Sequence, residues 1–296
     1  MTDRQGPLQS RCSTPQRAFT TATKQSKHFR RSASDRPKQR KLDIVLSHYW
    51  ASNLQQVTEI WKQVSSLPTI EESKPYFFMY CKSTKVPDED FDWFHEHGEV
   101  QHLDNVGRES HTFVLHMLLN LDDLADHTLF HQAIPDNVHL LKQRLGLFGP
   151  STGLLALGYM GKCTCTTCWL HHIPKVREIW AMARQSFCAP DEDHAVFMRG
   201  AFLVSSHRIR SVPVQVYKTL LKYSGSPNGH WVHTEHSEDW ARSSSNPLSA
   251  HVLERTWNVL FDCLDPDIVD VCEGCTDEDS CLPSACQCSD TNTDSN

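Results

Sequence analysis

No stretch of eighteen apolar residues occurs anywhere in the chain, which excludes an ordinary membrane-spanning helix. The short apolar core of a secretory leader is also missing near the N-terminus, so the expected location is cytoplasmic. Acids are scarce in residues 1–41, where Asp3 and Asp35 face eleven Lys and Arg. Apolar residues are equally scarce there, and the composition predicts a basic disordered head. Its Arg30-Arg31 and Lys38–Lys41 runs also suit nuclear import, and its Arg, Ser and Thr content suits a mitochondrial presequence. Lys and Arg are in turn absent after Cys263, where nine acids and five cysteines predict an acidic disordered tail over 264–296. The 296 residues carry a formal net charge of -7, so no nucleic-acid partner is expected of the acidic body. A Gly-x-Ser-x-Gly elbow, a dinucleotide fingerprint, a P-loop and the kinase motifs are all lacking, which removes the best-marked enzyme classes.

What remains between residues 42 and 263 alternates in the manner of an α/β domain. Leu42 to Ser47 is an apolar run suited to a buried strand. Leu54, Val57, Ile60, Trp61 and Val64 then share one helical face, with Ser52 or Asn53 available as its cap. Tyr76 to Cys81 supplies a second strand, and strand–helix–strand order predicts a parallel pair. Phe113, Met117, Leu121 and Leu124 recur at helical spacing, and Thr128 to Gln132 and Ala201 to Ser205 read as further strands. The predicted fold is therefore a mostly parallel central sheet flanked by helices, Rossmann-like, in a single domain. Residues 82–101 and the glycine-punctuated 146–161 read as loops, Pro174 as a helix start, and Val252, Leu253, Trp257, Leu260 and Phe261 as the inward face of a last helix.

Chemistry concentrates in four places. Asp104-Asn105-Val106-Gly107-Arg108-Glu109 sets a glycine just before a helix, where free N–H groups and the Arg108 fork favour an anion. An ordinary capped helix with Arg108 and Glu109 paired to neighbours is the other reading. The strand ends bear Ser47-His48-Tyr49, Cys81-Lys82, and Gln132 with Asp136, and open α/β sheets bind ligands at such ends. Cys163, Cys165, Cys168 and Cys188 have a spacing that can close a structural zinc site, although unligated thiols fit as well. The absent leader favours thiols or metal ligands over a disulfide framework. His230 to His236 gathers three imidazoles around Glu235, and His233 with Glu235 can serve as an acid/base pair or as ligands. Cys272-x-x-Cys275 with Cys281, Cys286 and Cys288 is open between metal binding and a redox-labile tail.

The ordered motifs resemble the largely fungal domain-of-unknown-function 3431 family. The likeness lies in Ile44-Val45-Leu46-Ser47-His48-Tyr49, Leu103 to Thr112 including His111, and Thr128-Leu129-Phe130-His131-Gln132. Gly200 to Ser205, Arg208-Ile209-Arg210 and Leu253-Glu254-Arg255-Thr256-Trp257 continue it. The resemblance implies a GT-A glycosyltransferase-like layout with a nucleotide-sugar donor at the strand ends. It places Asn53 near the nucleotide, and Asn105 to Glu109 near the phosphates or donor sugar. Gln132 falls where such enzymes often carry a metal-binding aspartate, a departure from manganese-dependent transfer for which Asp136 is the nearest substitute carboxylate. Candidate bases are Glu109, Glu235 and Glu254, the last also suited to pairing with Arg255 or Arg210. A small metabolite of a fungal biosynthetic pathway is the implied acceptor. The alternative expectation is a non-catalytic, zinc-stapled binding protein, and the sequence leaves its oligomeric state open.

Overall fold

The computed structural model describes residues 36–49, 54–83, 86–164, 181–182, 184, 191–234, 241–275, 281–282 and 284–290. The compact unit starts at Pro37. Its first strand, β1 (Leu42–His48), is buried at every position. Even the charged Asp43 is enclosed, because Arg40 donates from Nε to its Oδ1 at 2.7 Å and the Ala125 N–H reaches its Oδ2 at 3.3 Å. Arg40 thus belongs to the fold, and the boundary expected at Leu42 moves a few residues toward the N-terminus.

From β1 the chain runs through helices α1 (Leu54–Ser65) and α2 (Pro68–Glu71) into β2 (Tyr76–Cys81), which lies parallel to β1. Alternation along these strands fills two cores. Val45, Tyr76, Phe78 and Tyr80 point to one face of the sheet, and Ile44, Leu46, Phe77 and Met79 to the other. Strands buried on both faces need helices on both, which is why they read as continuous apolar runs. Helix α1 covers the second face with Leu54, Val57, Ile60, Trp61 and Val64. Trp61 also donates from Nε1 to the carbonyl of Ala133 at 2.8 Å, fixing the helix to the far strand end.

Residues 82–101 depart from the loop expected there. A 3-10 turn (Asp88–Phe91) and helix α3 (Asp92–His97) lead into β3 (Gly98–His102), a parallel edge strand on β2. The chain then returns across the opposite face through α4 (Arg108–Asn120) to β4 (His127–Gln132), parallel to β1 on its other side. Phe113, Val114 and Met117 carry α4 onto the first core. Helix α5 (Val138–Leu145) follows, capped by Asn137, whose side chain accepts the N–H of Leu140.

The glycine-punctuated stretch is a second departure. It holds β5 (Thr152–Ala156) and β6 (Met160–Cys163), the latter paired with β7 (His194–Phe197) in a two-stranded sheet. Gly153 sits in β5 because a Cβ there would come within 2.4 Å of both Arg208 Nε and Asp290 Oδ1. Strand β8 (Phe202–Ser205) lies between β4 and β5, antiparallel to each. β9 (Arg242–Ser243) and β10 (Asn246–Pro247) form a small hairpin. The expected last helix is broken in two, Leu248–Glu254 and Trp257–Leu260, with Trp257 fully buried against Phe202 and Phe261. The helix start expected at Pro174 lies outside the described residues.

The C-terminal segment corrects the domain boundary expected at Cys263. Asp267–Glu273 is helical, and β11 (Gln287–Ser289) adds an antiparallel edge strand to β5. Disulfides Cys263–Cys288 and Cys272–Cys286 tie this segment down, where thiols or metal ligands were expected. The seven-stranded sheet has the order β11-β5-β8-β4-β1-β2-β3. Its α/β architecture, with helices on both faces and five strands pointing one way, is the one expected.

Candidate functional site

Strand order decides where a ligand can sit. From β1 the chain moves to β2 and β3 on one side, then crosses by α4 to β4 on the other. The connections therefore diverge between β1 and β4, and their carboxyl ends leave a crevice there. A cavity of about 520 Å³ occupies this point. Ser47, His48 and Tyr49 from the end of β1, Lys82 from β2, and Gln132, Ala133, Ile134 and Asp136 after β4 form its walls. Asn105, Arg108 and Glu109 close it from the α4 side, and Ser245 and Asn246 from the β9–β10 hairpin.

The turn into α4 has an unusual backbone. Gly107 and Arg108 both take left-handed φ values, 61° and 49°, and no side chain caps the helix. A Cβ at Gly107 would lie 2.6 Å from the carbonyl oxygen of Ser224, so this position accepts glycine alone. Lys82 holds the turn from inside. Its Nζ donates to the carbonyl of Val106 at 2.6 Å and also to that of Arg108. Burial pulls the Lys82 ammonium down to about 7, while the carboxylate of Glu109 works in the opposite direction. Ser47 and Thr112 hydroxyls meet at 3.1 Å, and Ser110 donates to the carbonyl of Ala250, so the first turn of α4 is fixed on both sides.

Lys82→Met tests this support. An isosteric apolar side chain relieves the buried charge, so the melting transition should stay nearly in place. The lost carbonyl contacts should speed amide exchange over residues 104–110 by about tenfold. Unchanged exchange in that segment would show that Lys82 does not hold the turn.

Around Arg108 runs a continuous polar chain. Its Nε faces Glu109 Oε2 at 3.4 Å, and its Nη1 faces Asn246 Oδ1 and His251 Nε2, both at 3.3 Å. His251 Nδ1 stands 3.6 Å from Glu254 Oε2, and Glu254 Oε1 accepts the N–H of Arg199 at 3.1 Å. Arg199 in turn pairs with Asp136 at 2.7 Å. Burial alone would raise the Glu254 carboxyl, but the His251 hydrogen bond and the charges of Arg255, Arg108 and His251 hold it below its ordinary value. Two buried polar atoms on residues of the cavity wall, Glu109 Oε1 and His48 Nε2, have no partner among the described residues. His48 rests edge-on against Phe91, 3.9 Å from Cys81 Sγ, and burial lowers its imidazole to about 4, leaving it neutral at pH 7.

The structure thus brings Asn105, Arg108, Glu109, Gln132 and Asp136 to one crevice wall, with Gly107 packed behind it against Ser224 and Glu254 joined to it through His251 and Arg199. Asp104 is exposed beside it, where its carbonyl accepts the N–H of Val106. His111 faces away: its Nδ1 meets Ser224 Oγ at 3.0 Å, and burial, followed by the charge of Lys82, lowers it to about 3. Arg255 donates to the carbonyl of His251 at 3.0 Å and supports the polar chain from behind. His233 is fully buried 2.8 Å from the carbonyl oxygen of Ser226, which makes it a packing residue rather than a cavity ligand. Asn53, Glu235, Cys165, Cys168 and Cys188 lie outside the described residues. Cys163 is held in a disulfide and offers no thiolate for zinc in this state. Among the described residues no cluster of three His, Cys, Asp or Glu is placed to hold a metal ion.

Sequence reasoning missed Asn246, His251 and Arg199. Nothing local marks them, since each reaches the crevice from a segment more than sixty residues from α4 or β4. No family model matches the chain, and no curated protein matches it. No helix among the described residues is long and apolar enough to cross a membrane.

Proposed function

We propose that the crevice binds the diphosphate of a nucleotide-sugar, and that the chain is a glycosyltransferase-like protein acting on a small metabolite, as its resemblance to the domain-of-unknown-function 3431 family implies. The observation that carries this reading is the placement of Arg108. It stands at an uncapped helix N-terminus on the wall of a 520 Å³ cavity, and among the described residues no acceptor meets its Nη2. Helix N–H groups and a planar guanidinium are the usual protein partners of a diphosphate. In this reading Arg108 and the α4 N–H groups stabilise the leaving diphosphate, the electrostatic term that most lowers such barriers. Glu109, with Oε1 unpartnered, accepts the proton of the acceptor hydroxyl. Glu254 positions His251 and Arg199, since both its oxygens are engaged. The end of β4 offers the neutral amide of Gln132, and Asp136 is matched with Arg199. The donor set therefore does not fit the carboxylate pair of a divalent-cation site, and charge neutralisation falls to the protein's own cations.

Thermal shift with uridine and guanosine diphosphates and their sugar conjugates tests the reading. At one hundred times Kd, binding stabilises by about 2.7 kcal/mol. In a chain of this size that raises the melting temperature by roughly 5–10 °C. Arg108→Ala should abolish the shift and leave the unliganded transition within a few degrees. No response to any nucleotide, or equal shifts in both proteins, would sink the proposal. Binding without sugar transfer to any hydroxyl acceptor would leave a non-catalytic binding protein instead.

A further inference from the structure

Arg144, on the last turn of α5, is 6% exposed, and no carboxylate reaches it among the described residues. Its Nη1 and Nη2 point to the carbonyl of Cys272 at 3.4 and 3.5 Å, its Nη1 also touches Cys286 Sγ, and its Nε has no partner. A guanidinium cannot shed its proton to escape burial, so an enclosed one requires an anion nearby. Among the described residues, the groups that can supply one are sulfur. Cys275 and Cys281 are thiols, the Cys275 side chain is within hydrogen-bonding reach of Arg144, and both sit in its field. Cys275 is buried, and its N–H donates to the carbonyl of Cys272 at 3.2 Å, while Gln143 Nε2 donates to its own carbonyl at 3.0 Å. A thiol, a disulfide and an unmatched cation are therefore packed into one cluster.

We propose that this cluster is a thiol–disulfide exchange site, in which Cys275 attacks the Cys272–Cys286 disulfide and Arg144 receives the leaving sulfur. Cys275 reacts through its sulfur once its proton has passed to solvent. Its sulfur bonds to that of Cys272, the Cys272–Cys286 bond breaks, and its electron pair leaves on Cys286 Sγ. The products are a Cys272–Cys275 disulfide and a Cys286 thiolate, with no external oxidant or reductant consumed. The leaving sulfur already touches Arg144 Nη1, so charge moves from one contact of the guanidinium to another. The exchange transfers the staple from a link across fourteen residues to one across three, and frees Cys286 beside β11. Cys263–Cys288 keeps the strand attached in both states.

The test traps the pairing chemically in the full chain. Protein held at pH 5, where exchange is frozen, is brought to pH 7, acid-quenched at intervals, unfolded, alkylated with N-ethylmaleimide and mapped by peptide mass spectrometry. The wild type should accumulate a Cys272–Cys275 disulfide together with alkylated Cys286. Cys275→Ser should retain only Cys272–Cys286. Arg144→Gln, its fold confirmed by circular dichroism, should slow the exchange by about tenfold, because the guanidinium no longer meets the leaving Cys286 sulfur. The proposal is overturned by a wild type that holds only Cys272–Cys286 with alkylated Cys275, or by an exchange rate indifferent to Arg144→Gln. A Cys275–Cys281 disulfide, or stoichiometric zinc on these sulfurs, would overturn it too.

Discussion

Acidification from pH 6 to pH 5 should lower the unfolding free energy by about 3.5 kcal/mol, an unusually steep fall that denaturant titrations across this range will read directly. The cause is three histidines held neutral. His48 and His131 are each lowered to about 4 and His111 to about 3, burial being the leading cause in all three. Unfolded, the same rings titrate near 6.5. Between these limits the unfolded chain binds up to three more protons than the native one, so stability rises with pH and drains away as pH falls below 6.5. The native rings cannot easily recover the loss. His48 Nε2 has no acceptor for a second proton, and at His131 the bond to the Gln132 carbonyl oxygen offsets burial only in part. A profile that stays flat from pH 7 to pH 5 would refute this account. Because His48 lines the crevice, bound ligand should shift the steep region, whereas a ligand elsewhere would leave its position alone.

The second large effect concerns a single methyl group. Gly107→Ala should destabilise the fold by about 3–4 kcal/mol and eliminate nucleotide binding. A left-handed φ costs an alanine about 1 kcal/mol by itself. The larger share is steric, because the new Cβ meets the Ser224 carbonyl oxygen at 2.6 Å and Ser224 Cβ at 2.9 Å. Both atoms belong to the helix Val214–Ser224, which packs closely along α4 and cannot retreat without opening the first core. Chemical denaturation measures the cost, and the thermal-shift assay measures the loss of binding. A variant with wild-type stability would mean that the turn can adopt another backbone path. Gly107→Asn is the informative companion: asparagine tolerates the left-handed region, so any remaining loss reports the steric contact.

How much of this was legible beforehand varied with burial geometry. Doubly buried strands such as Tyr76–Cys81 announce themselves, since every position must be apolar. β3 does not, because an edge strand carrying Gly98, Glu99 and Gln101 needs few apolar positions and looks like loop. β5 was hidden by Gly153, which reads as a breaker but marks the spot where Arg208 and Asp290 cross the strand. The C-terminal segment was misjudged from composition. Asp265, Asp267, Asp270 and Glu273 are exposed, Asp290 is paired with Arg208, and the order comes from two disulfides and the ladder to β5, none of which a charge count registers. In the site, the turn at 104–109 could be found because its chemistry is consecutive in the chain. Asn246 and His251 reach Arg108 from 138 and 143 residues away, and only the assembled fold puts them there.

The late arrival of β11 has a bearing on biosynthesis. Its partner β5 leaves the ribosome more than 130 residues earlier, so the nascent sheet must wait with one flank open. The parallel half, β1 to β4, can assemble meanwhile from neighbouring segments. β5 meanwhile presents an unpaired rim, the kind of surface through which partly made chains join one another. Oxidation of Cys263 with Cys288 latches that rim once the final strand docks. A chain cut before residue 287 should therefore be lost to self-association, even though its ligand crevice, on the opposite half of the sheet, is fully encoded.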